Sequence, residues 1–154
     1  MKEPTQIDWA RLAAFIDGEG CIEIVKSSTT IRGKKYFGYT FRIEVFNTDP
    51  RLPAWCERTF GGKAYKRQRQ RKHWRPCFGW RVNSGKAIFI LRGCKEFFIL
   101  KREQVEIAEA FLATIGKHGA DVSDEVNELR RYYKNQLNIE KKVSREFVPS
   151  TTVN

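Results

Sequence analysis

Apolar and polar positions along the chain predict a definite order of elements. Residues 8–18 put Trp9, Leu12, Ala13 and Ile16 at helical spacing, with Asp8 as the expected N-cap and Gly18 and Gly20 as stops. From Cys21 to Ser28 the pattern alternates, Ile22 and Ile24 on one face and Glu23, Val25 and Ser27 on the other, which reads as a strand. A turn or loop is expected over residues 32–35, then a second strand, 36–46, with Tyr39, Phe41, Ile43 and Val45 opposite Thr40, Arg42 and Glu44. Asp49-Pro50 marks the start of a short helix that runs through Trp55 and Phe60 and stops at Gly61-Gly62. Residues 63–71 and 74–82 form a second predicted hairpin. Helices follow from Ser84 as cap, from about Leu100 to Ile115, and from about Ser123 to Ile139.

The order α-β-β-α-β-β-α with further helix appended predicts an α+β fold. A curved antiparallel four-stranded sheet carries helices on one face and leaves the other free. One domain is expected over residues 1–140, with residues 141–154 as a basic, weakly structured tail. The four tryptophans, Trp9, Trp55, Trp74 and Trp80, are expected in the core or at an interface.

Charge adds direction to this picture. The 154 residues carry 29 Lys and Arg against 18 acids, a net +11. The excess sits in residues 26–102, which hold 20 bases and 4 acids, whereas the ends are slightly acidic. The densest stretch, Lys66 to Arg81, has seven bases and no acid. A basic middle on a sheet with one free polar face fits a polyanion, and a curved sheet of this size can lie in a DNA major groove. No apolar run is long enough for a membrane helix and the N-terminus has no signal-like segment, so a soluble intracellular protein without membrane contact is expected. Cys21, Cys56, Cys77 and Cys94 form no CxxC pair and are expected as reduced thiols.

The segment from Leu12 to Gly20 reads LAAFIDGEG. It resembles the nonapeptide of the LAGLIDADG homing endonucleases, most closely in its second half. The single motif near the N-terminus, the element order after it and the chain length are similar to those of the single-motif, homodimeric members. The resemblance spans about residues 8–140. It implies a site-specific, intron-encoded type of endonuclease that hydrolyses one phosphodiester per strand near the centre of a long pseudo-palindromic target, leaving 3′ overhangs. The alternative is a non-cleaving nucleic-acid binder of the same fold, an intron RNA maturase or a transcription regulator. The host compartment, prokaryotic cytoplasm or an organelle, is left open.

The chemistry of the motif can be argued independently. Small residues at Ala10, Ala13, Ala14 and Gly18 let the helix approach another closely, and with one motif per chain that partner is the same helix of a second copy. A two-fold axis then sets two helix C-termini and two Glu19 carboxylates side by side, an arrangement that attracts a divalent cation. The resemblance implies metal binding by Glu19 with the Gly18 carbonyl. The expected ion is Mg²⁺, with Mn²⁺ able to substitute and Ca²⁺ supporting binding without cleavage; no small-molecule cofactor is expected. Many members carry Asp where this chain has Glu19. Asp17 reads as mainly structural, capping or interface-forming. The resemblance also points to Lys101 as a basic residue approaching the scissile phosphate or a nearby water, to Asn47 as holding a water, and more weakly to Arg51.

DNA reading is assigned by alternation to Glu23, Val25, Ser27, Thr40, Arg42, Glu44, Arg67, Arg69, Arg71 and Arg81, with Cys77 on the same face. Glu44 is expected to accept from cytosine. Lys34, Lys35, Lys72, Lys141 and Lys142 are expected on phosphates.

Overall fold

The computed structural model describes residues 3–68, 73–116, 122–143 and 145–146. Helix α1 (Gln6–Glu19) leads directly into strands β1 (Gly20–Ile31) and β2 (Lys34–Asn47). Helix α2 (Arg51–Phe60), strands β3 (Lys63–Arg67) and β4 (Cys77–Asn83), and helix α3 (Ser84–Cys94) follow. A 3-10 turn at Lys95–Phe97 joins α3 to α4 (Arg102–Leu112), and α5 (Asp124–Glu140) comes last. The four strands form one antiparallel sheet in the order β1-β2-β4-β3. This is the expected α+β architecture.

Most departures from the sequence pattern lie at element ends. Thr5 is the N-cap of α1, and Asp8 completes a capping box by accepting from the Thr5 backbone N–H (2.9 Å). Asp8 is therefore the third helical residue and not the cap. Lys34 and Lys35 belong to β2, because Arg32 (φ 49°) and Gly33 (φ 76°) close the hairpin in two residues. Two consecutive positive φ angles match the right-handed twist of the flanking strands, so the ladder continues to the turn. Ser84 lies inside α3, whose preceding residue Asn83 makes no side-chain cap bond. Ser123 does cap α5, accepting from Val126 N–H at 3.3 Å. Lys141 continues the last turn of α5, its N–H bonded to the Leu137 carbonyl. Arg69, Arg71 and Lys72, all assigned to DNA, lie outside the described residues.

The core fills the space between the sheet and its helices. Ile22, Ile24, Phe41, Ile43, Val45, Trp80 and Val82 point to one side, where α1 adds Leu12 and Ile16 and α3 and α4 add Ile90, Leu91 and Phe111. The Trp80 indole N–H, fully buried, donates to the Gly61 carbonyl at 2.7 Å. Trp9 and Trp55 pack against this cluster, whereas Trp74 is exposed. The four cysteines are free thiols, three of them buried.

The helix-to-strand junction is the tightest point. A Cβ at Gly20 would stand 2.6 Å from the Ile16 Cα, so only glycine lets β1 leave α1 at this angle. That exit sets the last residue of α1 beside the end of β2, where Asn47 lies.

Candidate nucleic-acid interface and active site

The two acids of the motif end in different environments. A two-residue step on a helix turns a side chain by about 200°, so Asp17 and Glu19 point to opposite sides. Asp17 is 8% exposed and turned inward. Its carboxylate accepts three backbone N–H groups, from Ile99 (2.7 Å), Leu100 (3.2 Å) and Lys101 (3.1 Å). These precede α4, so Asp17 closes off donors at that helix start and ties α1 to it. The Lys101 ammonium folds back and donates to the Asp17 carbonyl at 2.6 Å. Asp17 thus holds the backbone ahead of α4 within its own chain, and its carboxylate is not on the free face of α1.

Glu19 is exposed. Its carboxylate accepts from Asn47 Nδ2 at 3.2 Å, and the Asn47 Oδ1 accepts from Asp49 N–H at 2.8 Å. The second bond fixes which way the Asn47 amide points. The structure therefore joins Glu19 to Asn47, and ties Lys101 to the same end of α1 through the Asp17 carbonyl. Lys101 is half-buried, and loss of water pushes its ammonium pKa below the ordinary lysine value, with Asp17 opposing and Lys141 assisting. Lys141 reaches the same corner, its Nζ 3.5 Å from Cys21 Sγ. Arg51 lies on the other side of Asn47, paired with Asp49, whose carboxyl it holds down at about 2.

Among the described residues, no cluster of three or more His, Cys, Asp or Glu could hold a metal ion on its own. The oxygen donors at the α1 terminus are the Glu19 carboxylate and the last carbonyls of the helix, of which that of Asp17 is taken by Lys101. One carboxylate with backbone oxygens suits an ion such as Mg²⁺ that keeps most of its shell from water and substrate phosphate. The residues fit such an ion if Glu19 is supplemented by substrate or a second copy.

The open sheet face is polar as alternation predicts, and the register places on that face those assigned strand residues that lie among the described ones. Glu23 pairs opposite Arg42, Val25 opposite Thr40, Ser27 opposite Gly38, Glu44 opposite Arg81 and Arg67 opposite Cys77. Glu44 does not stand free for a base, however. It is 5% exposed, bonded to Arg81 Nε and to the Tyr65 hydroxyl (2.7 Å), with Arg42 Nε 3.4 Å away. The guanidinium groups of Arg42, on the same strand, and of Arg81 on β4, with the Tyr65 phenol of β3, satisfy and cover it, which rules out the expected cytosine contact. Glu23 likewise binds Arg42 through Nε (3.1 Å) and Nη2. Arg67 stacks 4.7 Å over the Phe46 ring. Lys34 lies against Tyr36, and Lys26 and Lys35 flank Phe37, toward the hairpin tip. Lys142 is exposed just beyond α5.

Tyr65, Phe46, Lys63 and Asn83 share this face but were not assigned to it from sequence. The signal was present: Lys63 and Tyr65 share the parity of Arg67, and Phe46 that of Glu44.

The small residues of α1 also divide. Ala14 and Gly18 are exposed and Ala10 is half-buried, whereas Ala13 is 0% exposed within the chain's own core. Ala13 thus faces inward, because the stripe through Leu12, Ala13 and Ile16 is the one that meets the sheet. Ile7 on the first turn of α1 and Leu100 ahead of α4 are both more than 60% exposed.

Solved structures with a similar fold exist. The homing endonuclease I-CvuI in complex with its target, in the presence of calcium, is similar with a TM-score of 0.72 at 17% identity, covering 93% of this chain and 87% of that one. The archaeal intron-encoded homing endonuclease I-Vdi141I, complexed with DNA, gives 0.67 at 14% identity, covering 92% and 89%. The LAGLIDADG homing endonuclease I-LtrWI, bound to target DNA, gives 0.65 at 17% identity, covering 88% of this chain but 45% of that one. The chain has the LAGLIDADG homing endonuclease fold. No family model matches the sequence, and no curated protein does. In this LAGLIDADG fold the motif helix is α1, and Glu19 stands at its open end. No helix among the described residues is long and apolar enough to cross a membrane.

Proposed function

We propose that this chain is a site-specific double-strand DNA endonuclease that acts as a homodimer. One observation carries the reading: the exposed Glu19 carboxylate ends the motif helix bonded to an oriented Asn47, while Lys101 is tied to the carbonyl of Asp17 at the same helix end. Neighbours of this fold are DNA complexes, some solved with calcium or magnesium present. The same unit matches most of some neighbours and about half of longer ones, which supports two copies working together.

In this reading two α1 helices pack through Ala10, Ala14 and Gly18, and the two Glu19 carboxylates meet at the axis. Glu19, with the Gly18 carbonyl, holds a divalent ion, for which Mg²⁺ is the fitting choice. A bound ion of this kind polarises the phosphoryl oxygen and lowers the pKa of water. Asn47 orients Glu19 and can position water through its amide. Lys101, partly stripped of solvent, places a positive charge against the scissile phosphate, where charge accumulates. The sheet face binds base edges, while Lys34, Lys35, Lys141 and Lys142 reach phosphates. One site per strand yields a double-strand break with 3′ overhangs in a pseudo-palindromic target. An intracellular location follows from a DNA target.

The test is Glu19→Gln, assayed by gel shift on the target duplex in Ca²⁺ and by cutting of the same duplex in Mg²⁺. Binding should persist and cutting should collapse. Full cutting by the variant would remove Glu19 from the chemistry, and parallel loss of binding would make its role structural. A wild-type protein that binds duplex DNA in both ions and never cuts would replace the proposal with a non-cleaving binder.

A further inference from the structure

At the centre of the open face, three strands converge on one buried carboxylate. Glu44 on β2 lies opposite Arg81 on β4, and Tyr65 on β3 lies opposite Gly79. Tyr65 rests flat across Gly79, where any Cβ would stand 2.6 Å from the phenol ring. In that position its hydroxyl donates to Glu44 Oε1 at 2.7 Å and its ring lies 5.0 Å beneath the Arg81 guanidinium. Arg81 Nε donates to the same Oε1, and Arg81 Nη2 stands 3.4 Å from the Tyr65 hydroxyl.

This holds Arg81 at its inner edge and by one face. What remains is the terminal fork, Nη1 with the second hydrogen of Nη2, on a side chain 39% exposed. Such a fork matches the O6 and N7 acceptors of a guanine edge, the commonest specific arginine contact in the major groove. Arg42 is held at the same edge, Nε and Nη2 both on Glu23, but its side chain is less open, 26% exposed, and among the described residues no ring lies beneath it to fix its plane. The four charges of Glu23, Arg42, Glu44 and Arg81 also cancel within the face. They add little general attraction for phosphate, and geometry is what the cluster has to offer.

We propose that Glu44 is a positioning residue that presents Arg81, stacked on Tyr65, to one guanine in each half-site. The inference rests on the DNA reading above and deepens it.

The experiment measures base preference from a randomised half-site library bound in Ca²⁺, followed by sequencing, for the wild type, Glu44→Gln, Arg81→Lys and Tyr65→Phe. Wild type should select guanine at one position per half-site. Glu44→Gln and Arg81→Lys should each weaken that preference about tenfold, leaving other positions within about twofold. Tyr65→Phe should weaken it less and at the same position. Affinity of Glu44→Gln for random duplex should not fall, since a negative charge has been removed from the face. Equal loss of preference at every position in Glu44→Gln would show a merely structural role and overturn the proposal. An unchanged guanine preference in folded Glu44→Gln would overturn it while leaving the DNA reading intact. If Glu44→Gln does not fold, Arg81→Lys decides: no position-specific loss there overturns the proposal. A wild type that selects no sequence at all overturns both readings.

Discussion

Replacing Asp17 by Asn tests the joint between the motif helix and α4. The carboxylate takes three backbone N–H groups at 2.7–3.2 Å while 8% exposed. An amide of the same shape offers one oxygen, enough for the pair from Ile99 and Leu100, and turns its NH₂ toward the Lys101 N–H. Two bonds lose their charge assistance and one buried donor loses its partner. Bonds to a charged group contribute about 1.5–3 kcal/mol and an unsatisfied buried donor costs about 1–3, so a net loss of about 2–4 kcal/mol is expected. For a chain of this size that lowers Tm by roughly 5–15 °C, within what a typical domain survives. Urea and thermal unfolding followed by circular dichroism would measure it. The control is Glu128→Gln, which removes an exposed pair with Arg131 and should cost under about 0.5 kcal/mol. At temperatures where Asp17→Asn is fully folded, cutting should still be reduced, because Lys101 hangs on the same joint through its N–H and its ammonium. A loss no larger than that of the control would refute the argument that Asp17 ties the two helices.

Trp80→Phe should destabilise the fold by about 2 kcal/mol or more, since it strips the buried Gly61 carbonyl of its indole donor and leaves a void; an unfolding midpoint within error of wild type would contradict this. Ala14→Glu should leave Tm nearly unchanged but give monomers by analytical ultracentrifugation, whereas Ala13→Leu should lower stability by about 1–3 kcal/mol through overpacking. Asp49 titrates near 2 in the folded chain against 3.8 for the free group, so its pairing with Arg51 stabilises fully above about pH 4 and is lost as pH falls through 2. An NMR titration that puts the Asp49 midpoint near 4 would show that the pair does not hold in solution.

What the sequence made legible were features with a local period. The α1 stripe, the alternation in β1 and β2 and the start of the last helix near Ser123 all rest on residues within a few positions of one another. The ends of β1 and β2 were harder, because Ser27 to Thr30 is polar on both faces and only the turn chemistry of Arg32-Gly33 says that pairing continues. Glu44 shows a deeper limit. Its parity was right, but its burial depends on Arg81, 37 positions later, and on Tyr65 lying over a glycine. Alternation tells which face a side chain leaves from and not what bends over to meet it. The motif placed Glu19 at the open end of its helix, and Asp17 needed the fold to show that its partners are backbone groups more than eighty residues away.

The β1–β2 ladder runs without interruption from the Gly20–Val45 pair to the Ile31–Lys34 pair. A strand advances about 3.3–3.4 Å per residue, nearly the 3.4 Å by which a DNA strand advances per nucleotide. A duplex laid along this hairpin would stay in step with it, gaining one base pair for each residue. Side chains on the open face would then arrive at every second base pair, each with an open-face residue of the neighbouring strand directly opposite. From Asn47 beside Glu19 out to Lys34 at the tip, β2 is 14 residues long. In the proposed reading the hairpin would be a ruler, setting the length of sequence one copy could span at about a dozen base pairs.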